Sequence, residues 1–346
     1  MATFGVRFDF LDPRARRPAI ELVPTGAGEY SEEVTDLVPA RVKYHISPRI
    51  GVSFPLTDRS FFFVNYGLYV QYPLFDYLYS GLNNVSISDG VTALRGNPDL
   101  LAERTQAWEI SVRYDFGWDV VGSVAYYNKD TRDQIDTKTF VPTNSRIAGD
   151  YGFAEYVNNP YAFANGFELV IGRAKGKWLR GSLSYAHTQA RGLSDYQDQG
   201  LNYAQWGFPL VNSPFNLSWD QRHTLKADLG FDLPLAATAD VVWQYHSGRP
   251  FTFFPSADGF TADNPKRRFL PNNERMPSNN LVNIKVSRRF RLRKRYTLDL
   301  FVDSRNIFAA RNVLWVDASG RTGGELADPS AYGTPRRTVV GFRTEL

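Results

Sequence analysis

Apolar and polar residues alternate strictly through residues 107–116. Trp108, Ile110, Val112, Tyr114 and Phe116 hold one parity; Ala107, Glu109, Ser111, Arg113 and Asp115 hold the other. Successive side chains of a β-strand point to opposite faces, so this spacing predicts a strand with one apolar and one polar face. Gly117 and Trp118 turn the chain, and residues 119–128 return with Val124, Tyr126 and Tyr127. The outward parity of this return strand is open, because Val120 and Val121 are both apolar.

The same period recurs along the chain and predicts about twelve strands. Besides that hairpin they cover residues 3–10, 47–54, 61–71, 163–173, 178–188, 223–231, 239–247, 281–290, 296–303 and 337–346. Phe4, Val6, Phe8 and Phe10 align in the first. Val282, Ile284 and Val286 alternate with Asn283, Lys285 and Ser287 in the tenth, and Val340 and Phe342 align in the last. The connections sort by length. Those around 55–60, 117–118, 174–177, 232–238 and 292–295 are short, and those around 11–46, 72–103, 131–161, 189–222, 248–280 and 304–336 are long. Short turns on one rim and long loops on the other are the pattern of outer-membrane β-barrels. The sorting places both chain ends on the short-turn rim. Inverting the strand at 107–116 would turn Glu109, Arg113 and Asp115 to lipid, where a midplane Arg or Lys costs roughly 2–4 kcal/mol. The apolar parity is therefore expected to face lipid and the charged parity the lumen.

Composition agrees with a membrane wall built of strands. The 346 residues suffice for two ordinary domains or one large β architecture. Hydrophobic residues make up 43%, yet mean hydropathy is −0.36. No run of eighteen apolar residues occurs, which excludes a transmembrane helix and not a barrel. Aromatics reach 15%, which suits interfacial girdles or a surface for stacking sugars or bases. The absence of cysteine removes disulfides, thiolate metal sites and cysteine nucleophiles. Forty basic and 36 acidic residues are interspersed for a net charge of +4, which reads as a mixed polar face and argues against a nucleic-acid partner. Residues 1–10 carry no signal-peptide pattern, so the protein is either not exported or a longer chain precedes this segment.

Sharper chemistry is scarce. His45, His187, His223 and His246 lack close metal-ligand spacing, and no metal site is expected. No Gly-x-Ser-x-Gly elbow occurs, no Walker or dinucleotide fingerprint is present, and no catalytic residue or cofactor is expected, although His187 or His223 offers a base. The basic run 288–295 straddles a short turn, where long side chains snorkel while Phe290 and Leu292 anchor in lipid. Lys266, Arg267 and Arg268 lie in a long loop near acidic head groups outside. Asp115, Asp228, Asp299 and Asp303 belong to the lumenal wall. Two loops are dense in aromatics: Tyr72, Phe75, Tyr77 and Tyr79 in one; Phe251, Phe253, Phe254 and Phe260 in the other. Tyr77, Tyr79, Phe253 and Phe254 are candidates for ligand capture, and girdle or loop packing is the alternative.

Several motifs resemble those of TonB-dependent outer-membrane receptors, more narrowly the Oar-like branch. Gly96-Asn97-Pro98-Asp99-Leu100 with Glu103 is similar to that family's Asn-Pro-x-Leu-x-x-Glu at the start of a barrel strand, with Leu101-Ala102 in place of the usual Lys-Pro. Trp219-Asp220-Gln221-Arg222-His223-Thr224 resembles its loop-to-strand junction. Ser247-Gly248-Arg249-Pro250-Phe251-Thr252 resembles the exit of the next strand, and Asn306-Ile307-Phe308 the end of the penultimate one. The last strand resembles the C-terminal insertion signal, ending in Leu346 where Phe is usual. The resemblance implies an all-β fold: an antiparallel transmembrane barrel portion of about twelve strands, one domain over residues 1–346, matching the C-terminal part of a 22-stranded barrel. It implies active uptake of a substrate across a Gram-negative outer membrane, with outer-membrane lipid, lipopolysaccharide and TonB as partners. Signal peptide, TonB box and plug have no counterpart in these residues, so the fragment alone is not expected to transport. A complete twelve-stranded passive porin and a soluble or cell-surface β-sandwich binding glycans are the alternatives. Unpaired strand edges are costly in hydrocarbon. The expectation is a curved sheet, open or incompletely closed between its first and last strands.

Overall fold

Twelve long strands lie side by side in chain order, each antiparallel to its neighbours. They are β1 (Ala2–Leu11), β2 (Lys43–Thr57), β3 (Ser60–Gln71), β4 (Glu103–Gly117), β5 (Val120–Arg132) and β6 (Ala162–Arg173). Then follow β7 (Leu179–Gly192), β8 (His223–Leu233), β9 (Ala237–His246), β10 (Asn279–Leu292), β11 (Tyr296–Arg305) and β12 (Arg337–Glu345). The short strand Phe215–Asn216 joins the same sheet against β7. This computed structural model describes residues 1–26, 29–82, 93–140, 153–159, 161–176, 178–205, 208, 211–254, 270–292 and 296–345. Each strand falls on a segment that the alternation marked. Several run longer toward the loop rim, as β5 does to Arg132 and β7 to Gly192. The extra residues are polar on both parities in β5 and include only small or polar residues in β7, so the ladder alone identifies them as strand.

Register assigns the faces. Directly paired residues of adjacent strands share a face. Val112 pairs with Val124 and Ile110 with Tyr126, so Val124 and Tyr126 join the apolar face and Val121 and Tyr127 the polar one. That settles the parity the pattern left open. On the polar side, the Tyr127 hydroxyl lies 2.8 Å from Thr188 Oγ1. The apolar face is exposed along its length: Phe4 and Phe342, at opposite edges of the sheet, are each 71% exposed. Its rings touch across strands, as in Trp108–Tyr126 at 5.5 Å and Phe54–Phe62 at 5.1 Å. A contiguous apolar surface of this extent demands lipid or a partner. The polar face carries ion pairs instead: Arg180 with Asp232 (2.9 Å) and Asp240 (3.2 Å), and Arg289 with Asp299 (2.7 Å). Asp115, Asp228 and Asp303 share that face by register.

The two rims differ as expected. Gly117, Trp118 and Asp119 make the β4–β5 turn at φ of +82°, +52° and +61°, a left-handed backbone that Gly117 takes without Cβ strain. Near the β10–β11 turn, the Arg288 guanidinium lies 4.6 Å from the centre of the Phe290 ring; residues 293–295 are outside the described ones. The opposite rim carries the long connections, which hold structure of their own. Residues Arg16–Gly26 and Glu29–Pro39 pair as a bulged hairpin in what the sequence presents as a proline-containing polar stretch. Pro18 and Pro24 interrupt the pattern, and the bulges at Ala19/Ile20 and Pro24/Gly26 absorb the irregularity. Strand Phe153–Asn159 pairs parallel with Ala93–Arg95 and antiparallel with Gln134–Phe140. Among the described residues this rim also carries two short α-helices, α1 (Phe75–Tyr79) and α2 (Gln199–Gln205).

The sheet does not close. Among the described residues β1 pairs with β2 alone and β12 with β11 alone, so each presents one unpaired edge. Replacing Val112 by Arg on the apolar face should destabilise the chain folded in a bilayer by about 2–4 kcal/mol, whereas Ser111→Arg on the polar face should cost much less. Urea titration in liposomes measures the difference, and equal effects would contradict the facial assignment.

Candidate functional site

The loop rim is held by buried polar side chains that bridge one connection to the next. Asp99, only 8% exposed, accepts the Arg41 backbone N–H at 3.0 Å and pairs with the Arg41 guanidinium at 2.9 Å. Burial pushes its carboxyl up, but the hydrogen bonds from Arg41 and the charges of Arg41 and Lys43 outweigh it and hold Asp99 below the usual carboxylate range. Asn97 donates to the Tyr156 carbonyl at 3.0 Å, and its own N–H donates to the Tyr77 carbonyl at 2.8 Å. Asp220 is fully buried. Its carboxylate accepts the Ala190 N–H at 2.9 Å and the Arg222 guanidinium at 2.9 Å, and it also pairs with Arg275. Arg275 in turn donates to the carbonyls of Asp220 and Gly248, at 2.7 and 3.0 Å. A Cβ on Gly248 would overlap the Met276 carbonyl oxygen, so this close approach needs glycine. Asn306, 1% exposed, donates to the carbonyls of Ala310 and Thr334 and accepts the Ala310 N–H.

Two aromatic assemblies sit above these clamps. In the first, Leu78, Leu100, Ile135 and Tyr156 form a buried cluster against which Tyr77 and Tyr79 pack. The Tyr77 and Tyr156 rings lie 4.8 Å apart, and the Tyr79 hydroxyl donates to the Pro13 carbonyl at 3.1 Å. Burial, followed by the nearby Asp198 carboxylate, pushes the Tyr156 hydroxyl up to about 12.

The second assembly encloses a cavity of about 550 Å³ between the loops that follow β7, β9 and β11. Tyr203, Phe208 and Phe254 line it, with ring centroids 6.1 Å apart for Tyr203–Phe208 and 5.4 Å for Phe208–Phe254. Asp195, Asn202 and Asn272 supply polar atoms. Asp195 accepts the Ser218 N–H at 2.7 Å and the Asn272 amide at 3.1 Å. The Phe254 N–H donates to the Ala318 carbonyl at 2.7 Å, which ties the third loop in. From below, Asp136 accepts the Gly200 N–H at 2.9 Å and Thr137 Oγ1 the Leu201 N–H at 2.7 Å, which docks the first turn of α2. Burial pushes the Tyr203 hydroxyl well above the ordinary phenol range, with Tyr196 and Asp195 adding to the shift, so it stays protonated as a potential donor.

The four aromatic candidates therefore separate. Tyr77 and Tyr79 belong to the packed cluster. Phe253 is held by backbone bonds to Asn273 at 2.8 and 3.2 Å, and Phe254 lines the cavity. Phe260 and residues 266–268 lie outside the described residues. Of the histidines, His45 pairs with Asp9 and His246 with Thr224 on the polar face; His187 and His223 oppose each other on the apolar face.

The sequence matches, over residues 1–307, the family model described as TonB dependent receptor-like, beta-barrel. The chain belongs to this TonB-dependent receptor family. No curated protein sequence matches it. Among solved structures, it resembles the outer membrane transporter YddB from Escherichia coli, with a TM-score of 0.63 and 13% identity over 88% of this chain and 41% of that one. It also resembles the siderophore receptor PirA from Acinetobacter baumannii, with a TM-score of 0.58 and 16% identity over 87% of this chain and 41% of that one. For the ferric-catecholate import receptor Fiu from E. coli K12 the TM-score is 0.57, at 14% identity over 99% of this chain and 42% of that one. At such identities the likeness concerns the fold. The chain spans about two fifths of the length of these structures and is the barrel portion of a TonB-dependent receptor.

Within this receptor barrel, the family-like motifs coincide with the clamps: Asn97 and Asp99, Asp220 and Arg222, Gly248, and Asn306. They are loop-anchoring residues. The cavity residues Asp195, Asn202 and Tyr203 went unmarked in the sequence reading, although Tyr196, Tyr203 and Phe208 form a third aromatic-dense stretch. Replacing Asp220 by Ala leaves two arginines without their carboxylate. Because these retain 30% and 32% side-chain exposure, the expected cost is at the low end for a broken buried pair, roughly 3 kcal/mol. Urea unfolding and protease cutting of the loops would report it. Tyr156, raised above its unfolded value, adds stability that is complete below pH about 10 and is lost as pH rises toward 12. Tyrosinate absorbance should show late-titrating groups, Tyr203 among them, one of which Tyr156→Phe removes.

Proposed function

We propose that this chain is the barrel portion of a Gram-negative outer-membrane transporter that captures a substrate at its long-loop rim and imports it with energy relayed through TonB. One observation carries the reading: an exposed apolar face and a charged polar face run the length of a sheet whose long loops gather on one rim around a cavity. The family match supports transport as the purpose of such a wall. In the intact receptor, further strands pair with the free edges of β1 and β12, a plug fills the polar interior, and a segment outside these residues engages TonB. The barrel portion alone does not perform gated import.

A passive porin of these twelve strands requires β1 to pair with β12, and their unpaired edges speak against it. The test is uptake by cells carrying the full receptor. Deleting TonB or collapsing the proton-motive force should abolish accumulation and leave surface binding intact. Accumulation that persists without TonB would overturn the transport reading in favour of a pore.

A further inference from the structure

We infer that His187 and His223 form a two-nitrogen site for a divalent transition-metal ion on the lipid-facing side of the sheet, at the level of the outer head groups. The inference goes beyond transport and rests on strand register, apart from the loop-rim cavity.

Register places the pair. His187 of β7 and His223 of β8 are direct partners across the ladder, although no local spacing joins them in the chain. They end a row of paired residues that reads Ile110, Tyr126, Phe167, His187 and His223 from β4 to β8. The next row of the same face, toward the long-loop rim, reads Trp108, Asn128, Asn165 and Gln189. The face thus turns from apolar to amide-bearing immediately above the histidines. Such a step marks the edge of the hydrocarbon, where water has access and charge is far better tolerated than at the midplane.

Geometry suits a shared ion. The two imidazole centroids lie 5.3 Å apart, with the rings inclined at 61°. Two imidazoles that hold one tetrahedral ion through nitrogens about 2.0–2.1 Å from it have centroids roughly 5.3 Å apart. The terminal torsion of histidine is broad, so the rings can turn their nitrogens toward a common point. Each ring is also braced. Phe167 stacks on His187 at 5.4 Å and 16°. The Tyr185 hydroxyl lies 2.9 Å from His223 Nδ1. With Nδ1–H donating to that hydroxyl, His223 keeps its lone pair on Nε2, the arrangement of a ligating histidine. Neither nitrogen of His187 has a hydrogen-bond partner among the described residues, which leaves both free for an ion.

Donor type selects the ion. Imidazole nitrogens suit Zn²⁺, Cu²⁺ and Ni²⁺, whereas Ca²⁺ and Mg²⁺ take oxygen ligands. Two protein nitrogens leave coordination positions for water, so the site is open and exchangeable.

The test uses the full receptor in phospholipid nanodiscs. Cu²⁺ is the probe, because it heads the affinity order of the first-row divalent ions and reports its ligands by electron paramagnetic resonance. Wild type should bind one ion more than the double variant His187→Gln/His223→Gln. The difference spectrum should show coupling to two imidazole nitrogens. Either single variant should weaken that ion about tenfold or more, since a lone imidazole forfeits the chelate. Tyr185→Phe should weaken it about tenfold through loss of the supporting hydrogen bond. Zn²⁺ should displace the ion and Mg²⁺ should not. Heat-modifiable migration confirms that each variant barrel is assembled. Equal copper binding by wild type and the double variant overturns the inference. So does a difference spectrum with one nitrogen, or displacement by Mg²⁺ as effective as by Zn²⁺.

Discussion

Backbone hydrogen bonding in a medium without water is the constraint on which this structure rests. A strand in hydrocarbon must give every N–H and C=O a partner, each unsatisfied group costing several kcal/mol. The unbroken ladder from β1 to β12 meets that demand at every interior strand. It also dictates the sequence pattern. Once each strand is flanked on both sides, only the two faces remain to meet lipid and water. The two-residue period of Trp108 to Phe116 is the trace of that division. The same constraint makes the free edges of β1 and β12 the most consequential positions in the sheet, since their outward groups have no partner within the chain's described residues.

A wall of this kind leaves little freedom for chemistry within it. On the polar face charges pair with one another where they meet, as Arg180 does with Asp232 and Asp240, and the apolar face is given over to solvation by lipid. Specific structure is therefore concentrated at the loop rim, where the strands end and water returns. There the clamps change the character of the loops. Asp220, fully buried between Arg222 and Arg275, joins the loop after β7 to the one after β9. Asp99 and Asn97 do the same for the connections nearer the first strands. Buried carboxylates and amides fix the bases of these loops, and the cavity lies among the residues so held.

The clamps also explain why the recognisable motifs and the candidate binding residues are different residues. A motif such as Trp219-Asp220-Gln221-Arg222 is legible because its residues are contiguous in the chain. The meeting of Tyr203, Phe208 and Phe254 around one cavity depends on which loops converge there, and no local spacing announces it.

The number of strands in the large sheet, the facing of nearly every one of them and the sorting of rims were all determined by the sequence alone, because period-two alternation and turn length are local properties. Phe4 to Phe10, Val282 to Val286 and Val340 with Phe342 each declared a lipid side without reference to any neighbour. Tertiary structure decided the rest. The facing of β5 needed the pairing of Val124 with Val112, because Val120 and Val121 are both apolar. The hairpin of Arg16–Gly26 with Glu29–Pro39 was hidden by prolines that break the period without preventing a bulged pairing. Tyr77 and Tyr79 were separated from Phe254 by contacts with Tyr156 and Pro13 that no single segment contains. The cavity itself depends on bonds such as Asn272 to Asp195, 77 residues apart, and Arg275 to Asp220, 55 residues apart. Contacts at that range are set by how loops converge in space, and only the folded chain specifies that.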